Sequence, residues 1–106
     1  MKASAADIRR YRGNYIKEQE GIALYRQLAK AEKDPARTEI FEKLAAAEER
    51  HADRWRRLLE ENGADAPRYR PSLRVRVLGW LSRTVGVQQV LPVVSGFESR
   101  DQGEYL

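Results

Sequence analysis

Two long helical patterns in this chain are separated by almost no connection. Apolar residues recur at helical spacing from about Ala5 to Ala31 and again from about Pro35 to Glu61, with the break falling at the stretch KDPA. Asp34 suits the position just before the second helix, where a carboxylate accepts from unpaired backbone N–H groups. Pro35 suits the first turn, where its missing N–H costs nothing. Asn62-Gly63 ends the second helix. So short a link leaves the two helices one arrangement, an antiparallel hairpin in an all-α chain.

The stripes on these helices contain misfits. Helix one reads Ile8, Tyr11, Tyr15, Glu18, Ile22, Tyr25, Ala29, and helix two reads Phe41, Leu44, Glu48, His51, Trp55, Leu58. Each stripe predicts a buried face, yet two glutamates and the only histidine stand on it. Phe41 and Trp55 read as core. Tyr25 is a core aromatic that can also reach a carboxylate. Glu20 is out of phase with the stripe and reads as solvated.

Geometry gives the misfits a meaning. Reflecting the chain about residues 33–34 places position 18 opposite position 49, so Glu18 faces helix two between the levels of Glu48 and His51. Unpaired buried carboxylates cost several kcal/mol each, and a metal ion is a direct compensation. Positions three apart share a helix face, so Glu48-x-x-His51 can offer oxygen and nitrogen to one ion. This donor set suits iron, manganese or zinc.

Beyond "NGADAP" the register breaks. Residues 72–84, SLRVRVLGWLSRT, read as a short basic amphipathic helix whose apolar side carries Leu73, Val77, Trp80 and Leu81, a face expected to pack on the bundle. A further helix starts near Val87, with Pro92 best placed in its first turn or two or at a kink, and reads as a helix cut short. Its stripe is Leu91, Val94, Glu98, Asp101, Tyr105. Glu18-x-x-Gly21-x-x-x-Tyr25 thus recurs as Glu98-x-x-Asp101-x-x-x-Tyr105, which makes Glu98 a fourth candidate ligand. Ferritin-like di-metal bundles use such a pattern of single carboxylates and Glu-x-x-His pairs. Residues 1–106 form a single domain: hairpin 5–62, basic crossover 63–86, third helix 87–106.

Composition narrows the chemistry. The chain has no cysteine, which excludes disulfides, thiolate zinc sites and iron–sulfur ligation and fits a reducing, cytoplasmic setting. No run approaches the roughly 20 apolar residues of a membrane span. The charge is uneven: residues 1–66 hold 14 basic and 13 acidic side chains, whereas residues 67–97 hold Arg68, Arg70, Arg74, Arg76 and Arg83 and no acid. That segment reads as a solvated crossover, or as an interfacial element near anionic lipid. Its aromatics, Tyr69 and Trp80, lack the spacing of a stacking platform, so nucleic acid is not an expected partner.

The stretch EQEGIALYRQLAKAEKDPARTEIFEKLAAAEERHADRW resembles the first hairpin of the rubrerythrin-type branch of the ferritin-like superfamily, sharing Glu, small residue, Tyr, Asp-Pro, Phe and Glu-x-x-His almost in order. The downstream PSLRVRVLGWLSRTVGVQQVLPVVSGFESRDQGEY resembles the ferritin-like domain fused ahead of vacuolar-iron-transporter-type membrane proteins, the membrane-bound ferritins. The resemblance implies a di-iron centre and Fe(II) oxidation in iron storage, detoxification or export, with Glu18, Glu48 and His51 as working residues and Glu98 as an additional ligand. A non-catalytic sensing or delivery module for a membrane iron transporter is the alternative, and a metal-free helical interaction module a third. A peroxidase with a rubredoxin-type iron is disfavoured by the lack of cysteines. In the family a fourth helix brings a second Glu-x-x-His. Here the expectation is a dimer, or a multiple of dimers, that completes a four-helix bundle and shares the metal ligands.

Overall fold

The computed structural model describes the backbone of residues 3–105 and the side chains of residues 3–96. Four helices follow in order: α1 (Ala5–Ala31), α2 (Pro35–Glu61), α3 (Leu73–Val85) and α4 (Val87–Tyr105), with no strand among the described residues. The first three begin with the caps their sequences offer. Ser4 accepts from the Asp7 N–H while Asp7 accepts from the Ser4 N–H, Asp34 accepts from Arg37 N–H, and Ser72 accepts from Val75 N–H. Each satisfies a donor the first helical turn would otherwise leave open.

The turn between α1 and α2 is held by Glu32, whose side chain is almost wholly buried. Its Oε1 accepts from the Lys33 and Asp34 N–H groups, both at 3.1 Å, and lies 3.3 Å from Arg37 Nε. The hairpin is antiparallel, as the short link requires. Its seam on α2 is Phe41, Ala45, Ala52 and Leu59, facing Ile22, Leu24, Tyr25 and Leu28 of α1. This corrects the expected α2 stripe by about one residue toward the C-terminus. The small Ala45 and Ala52 let the helices close on each other, which leaves the bulkier Leu44 at the rim and His51 exposed. Trp55 is half-buried rather than core, stacked on Tyr11 with ring centroids 5.8 Å apart.

From Asn62 the chain runs back along α1. Arg12 Nε donates to the Asp65 carbonyl at 3.4 Å, Arg74 pairs with Glu20, and Arg83 donates to Gln27 Oε1 at 2.8 Å. Ascending residues of α3 thus meet ascending residues of α1, and the two helices run in the same direction. Glu20 is therefore not solvated: it ties α3 to α1. Gly86, at φ 101°, breaks the chain between α3 and α4 in a conformation that L side chains avoid. α4 then lays Val87, Val90 and Val94 into the same core.

The phase of α3 differs from the sequence expectation. Val75, Leu78, Gly79 and Ser82 are buried, while Leu73, Val77 and Trp80 are exposed, at 74%, 44% and 57%. Leu81 is half-buried and alone of the expected four packs against the core. The reason lies on the buried side. A Cβ on Gly79 would stand 2.9 Å from Gln27 Oε1, so the close approach of α3 to α1 requires its small residues there.

Candidate metal centre

Glu18, on the seam face of α1, is buried; Glu48, at the middle of α2, is half-buried; and His51 is one turn further on. The hairpin brings the three together as the reflection argument predicts. One ligand atom from each lies within 4.8 Å of the other two, and His51 Nδ1 is 3.6 Å from Glu18 Oε2. Donors on one ion at bond lengths of about 2.0–2.2 Å stand at most about 4.4 Å apart. The triad is therefore at or close to the spacing that one cation requires.

The electrostatics are those of a site short of positive charge. Glu48 is pushed up to about 8, first by burial, then by its hydrogen bond to Glu18 and by repulsion from that carboxylate, with His51 pulling the other way. Two adjacent carboxylates cannot both ionise cheaply in a partly dry seam, so one holds a proton. A bound cation relieves the same deficit.

Gly21 belongs to the site although no donor of its own takes part. A Cβ there would lie 3.3 Å from Glu48 Oε2, so this position keeps the space into which the Glu48 carboxylate folds. The available signal was a glycine in the middle of a long helix, which costs about 1 kcal/mol relative to alanine without a reason. The second turn of the motif, Tyr25, is buried in the core. Glu98, Asp101 and Tyr105 lie outside the described side chains.

Ile40 and Leu44 are exposed on α2 in line with His51, whose side chain is 59% accessible. The face of the hairpin that carries the triad is thus open, whereas α3 and α4 lie against α1.

The family model Rubrerythrin matches residues 8–77, which include all three residues of the triad. The chain belongs to the rubrerythrin family. The match runs through the hairpin and into α3, and α4 lies beyond it. No curated protein and no solved structure gives a significant match. Membership in the rubrerythrin family agrees with the all-helical fold and with a carboxylate–histidine cluster on the first hairpin, the chemistry of a ferritin-like di-iron binder. No helix among the described residues is long and apolar enough to cross a membrane.

Proposed function

We propose that this rubrerythrin-family chain binds iron at Glu18, Glu48 and His51 and oxidises Fe(II). The observation that carries the proposal is the convergence of the triad at one level of the hairpin. The donor set fits: two hard carboxylate oxygens and one imidazole nitrogen suit iron, manganese or zinc, and Gly21 keeps the carboxylates' space clear. Iron in such a setting supplies one-electron chemistry toward dioxygen or peroxide. The protein's part is to hold and balance charge. Glu18, held in the seam, fixes the site against α1; Glu48 gives up its proton on loading; His51 stands at the mouth, where solvent and small oxidants reach it.

A second copy of the chain completes this site in the proposed assembly. One chain offers three described ligands, while a ferritin-like di-metal centre uses two Glu-x-x-His pairs. The open face carries the exposed Ile40 and Leu44 on the same side of α2 as His51, and exposed apolar side chains on an uncovered face favour burial. Two hairpins related by a two-fold axis place two triads around one pair of ions, and Glu98 adds to the set where α4 reaches it. The downstream resemblance supports a cytoplasmic setting ahead of a membrane iron transporter, with oxidation serving storage, detoxification or export.

The test is metal content of the purified chain, its mass by light scattering, and aerobic Fe(II) oxidation followed by absorbance. Expected are about two metals per pair of chains and oxidation that His51→Ala abolishes. Stoichiometric metal without oxidation would convert the reading to sensing or delivery. A metal-free chain would remove it.

A further inference from the structure

α3 is apolar on two opposite sides. Val75, Leu78 and Ser82 face the bundle, while Leu73, Val77 and Trp80, spaced four and three apart, form an exposed ridge on the other side of the helix. A helix buried on one side only should be polar on the other. This one exposes a tryptophan, a leucine and a valine in a row. The ridge is flanked by Arg76 and Arg83 on the same helix and is preceded by Arg68 and Arg70 in the extended segment before it, all four exposed. Arg83 donates to Gln27, an uncharged partner, and the other three have no acidic partner among the described residues. From Pro67 to Phe97 the sequence contains no acid.

We propose that this ridge seats the protein on an anionic lipid surface. The chemistry is complementary in two respects. Leucine, valine and tryptophan enter the boundary between headgroups and acyl chains, with the tryptophan ring suited to that level, and arginines beside them meet phosphate or carboxylate headgroups while their stems cover apolar surface. Leu73, Val77 and Trp80 line an open depression together with Gln27, Arg76 and Arg83, so cations and apolar side chains share one surface, as the boundary between headgroups and acyl chains requires. Two further features agree. α3 is too short and too charged to insert across a membrane, so it lies in the plane. Its buried side is locked to α1 by the Glu20–Arg74 pair and the close Gly79–Gln27 contact, so the ridge is presented on a fixed helix and no ordering of a flexible segment is required for binding.

The proposal is independent of the metal. The probe is the 106-residue chain with Trp55→Phe, leaving Trp80 as the only tryptophan, mixed with vesicles of phosphatidylcholine alone or with a third phosphatidylglycerol. Expected are co-sedimentation and a blue shift of Trp80 emission with the anionic vesicles only, weakening as salt is raised. Arg76→Gln should lower partitioning roughly fivefold, and Arg83→Gln similarly. Val77→Asp, at an exposed position, should abolish partitioning with the helical circular dichroism unchanged. No partitioning at low salt overturns the proposal, as does equal binding to neutral vesicles, or retention of binding by Val77→Asp. A lipid-free dimer that Val77→Asp dissociates would overturn it too, by assigning the ridge to a second copy. Binding of an acidic polypeptide by a chain indifferent to vesicles would assign it to a protein partner instead.

Discussion

The two halves of the hairpin are built on opposite terms. Toward the turn, Leu24, Tyr25, Leu28, Phe41 and Ala45 are buried and covered further by Val75, Leu78, Val87, Val90 and Val94 from α3 and α4. Toward the other end, Ala52 and Leu59 are buried, but Tyr11, Tyr15 and Trp55 are half-buried, His51 is exposed, and the seam itself contains Glu18 and Asn14. Apolar area removed from water stabilises the first half at about 25 cal/mol per Å². The second half gives up part of that area to hold charge. Stability and site are thus separable along the same pair of helices, and each half can be perturbed with little consequence for the other.

The largest effect is expected in the covered half. Leu28 is 0% exposed, and Leu28→Ala should lower stability by about 3 kcal/mol through lost transfer energy and the cavity left behind. Urea melts of the metal-free chain measure this. Metal bound per folded molecule should stay unchanged, because no ligand is touched. A parallel loss of metal would show that the halves are coupled.

Next in size is the response of the open half to metal. Metal that binds the folded chain alone should stabilise it by about 2.7 kcal/mol at a free concentration 100 times the dissociation constant. His51→Ala and Glu18→Ala should each abolish that gain and weaken metal binding by at least roughly tenfold, with little change in the metal-free melt. Glu20→Ala should leave metal binding intact while loosening α3 from α1, since its carboxylate pairs with Arg74. Thermal melts with and without Fe(II) under anaerobic conditions test all three. A metal loss in Glu20→Ala equal to that in Glu18→Ala would contradict the site as built.

Much of this was legible in the sequence, and what was not has identifiable causes. The limits of α1 and α2, their antiparallel pairing and the meeting of Glu18 with Glu48 and His51 follow from helical rise and a short turn, which are backbone properties. The exposure of His51 depends on Ala45 and Ala52, which periodicity ranks below Leu44 and Trp55 although small residues set the closest approach of the helices. The same holds in α3, where Gly79 and Ser82 rather than Trp80 define the buried side. With apolar residues on both sides of a helix, a period of 3.6 cannot choose between them. Glu20 read as solvated because its partner Arg74 is 54 residues away in the chain. Gly21 carries no donor, so a search for ligands passes over it.

A smaller effect concerns pH in the metal-free chain. The Glu48 carboxyl is pushed up to about 8 from an ordinary 4.5, mainly by burial and then by Glu18. Folded protein therefore holds a proton there between about pH 4.5 and 8 that the unfolded chain has released, so stability falls as pH rises through this window and levels off above it. Because the side chain is only partly buried, solvent screening limits the loss to on the order of 1 kcal/mol. Glu48→Gln should flatten the slope. Metal affinity should run the opposite way, rising toward pH 8 as the proton to be displaced is lost. Chemical melts at pH 5 and pH 8, with and without metal, give both signs in one experiment.

The smallest expected change is the most discriminating. Gly21→Ala removes a mid-helix glycine and by helix propensity alone should stabilise α1 by up to about 1 kcal/mol. The added methyl would lie 3.3 Å from Glu48 Oε2, a contact that a half-buried carboxylate can relieve by turning outward a few tenths of an ångström. In the metal-free chain the two effects should nearly cancel, leaving a net change of a few tenths of a kcal/mol. With metal they should not cancel. Sharing one ion fixes the spacing of the Glu18, Glu48 and His51 ligand atoms, and the methyl pushes Glu48 out of it. Metal affinity should fall several-fold while the metal-free melt barely moves, as read by competition with a chelator and by thermal melts of the same sample. If Gly21→Ala instead stabilises the chain by the full propensity gain and binds metal as before, Gly21 is no part of the centre, and the Glu48 carboxylate takes up a different position when metal is bound.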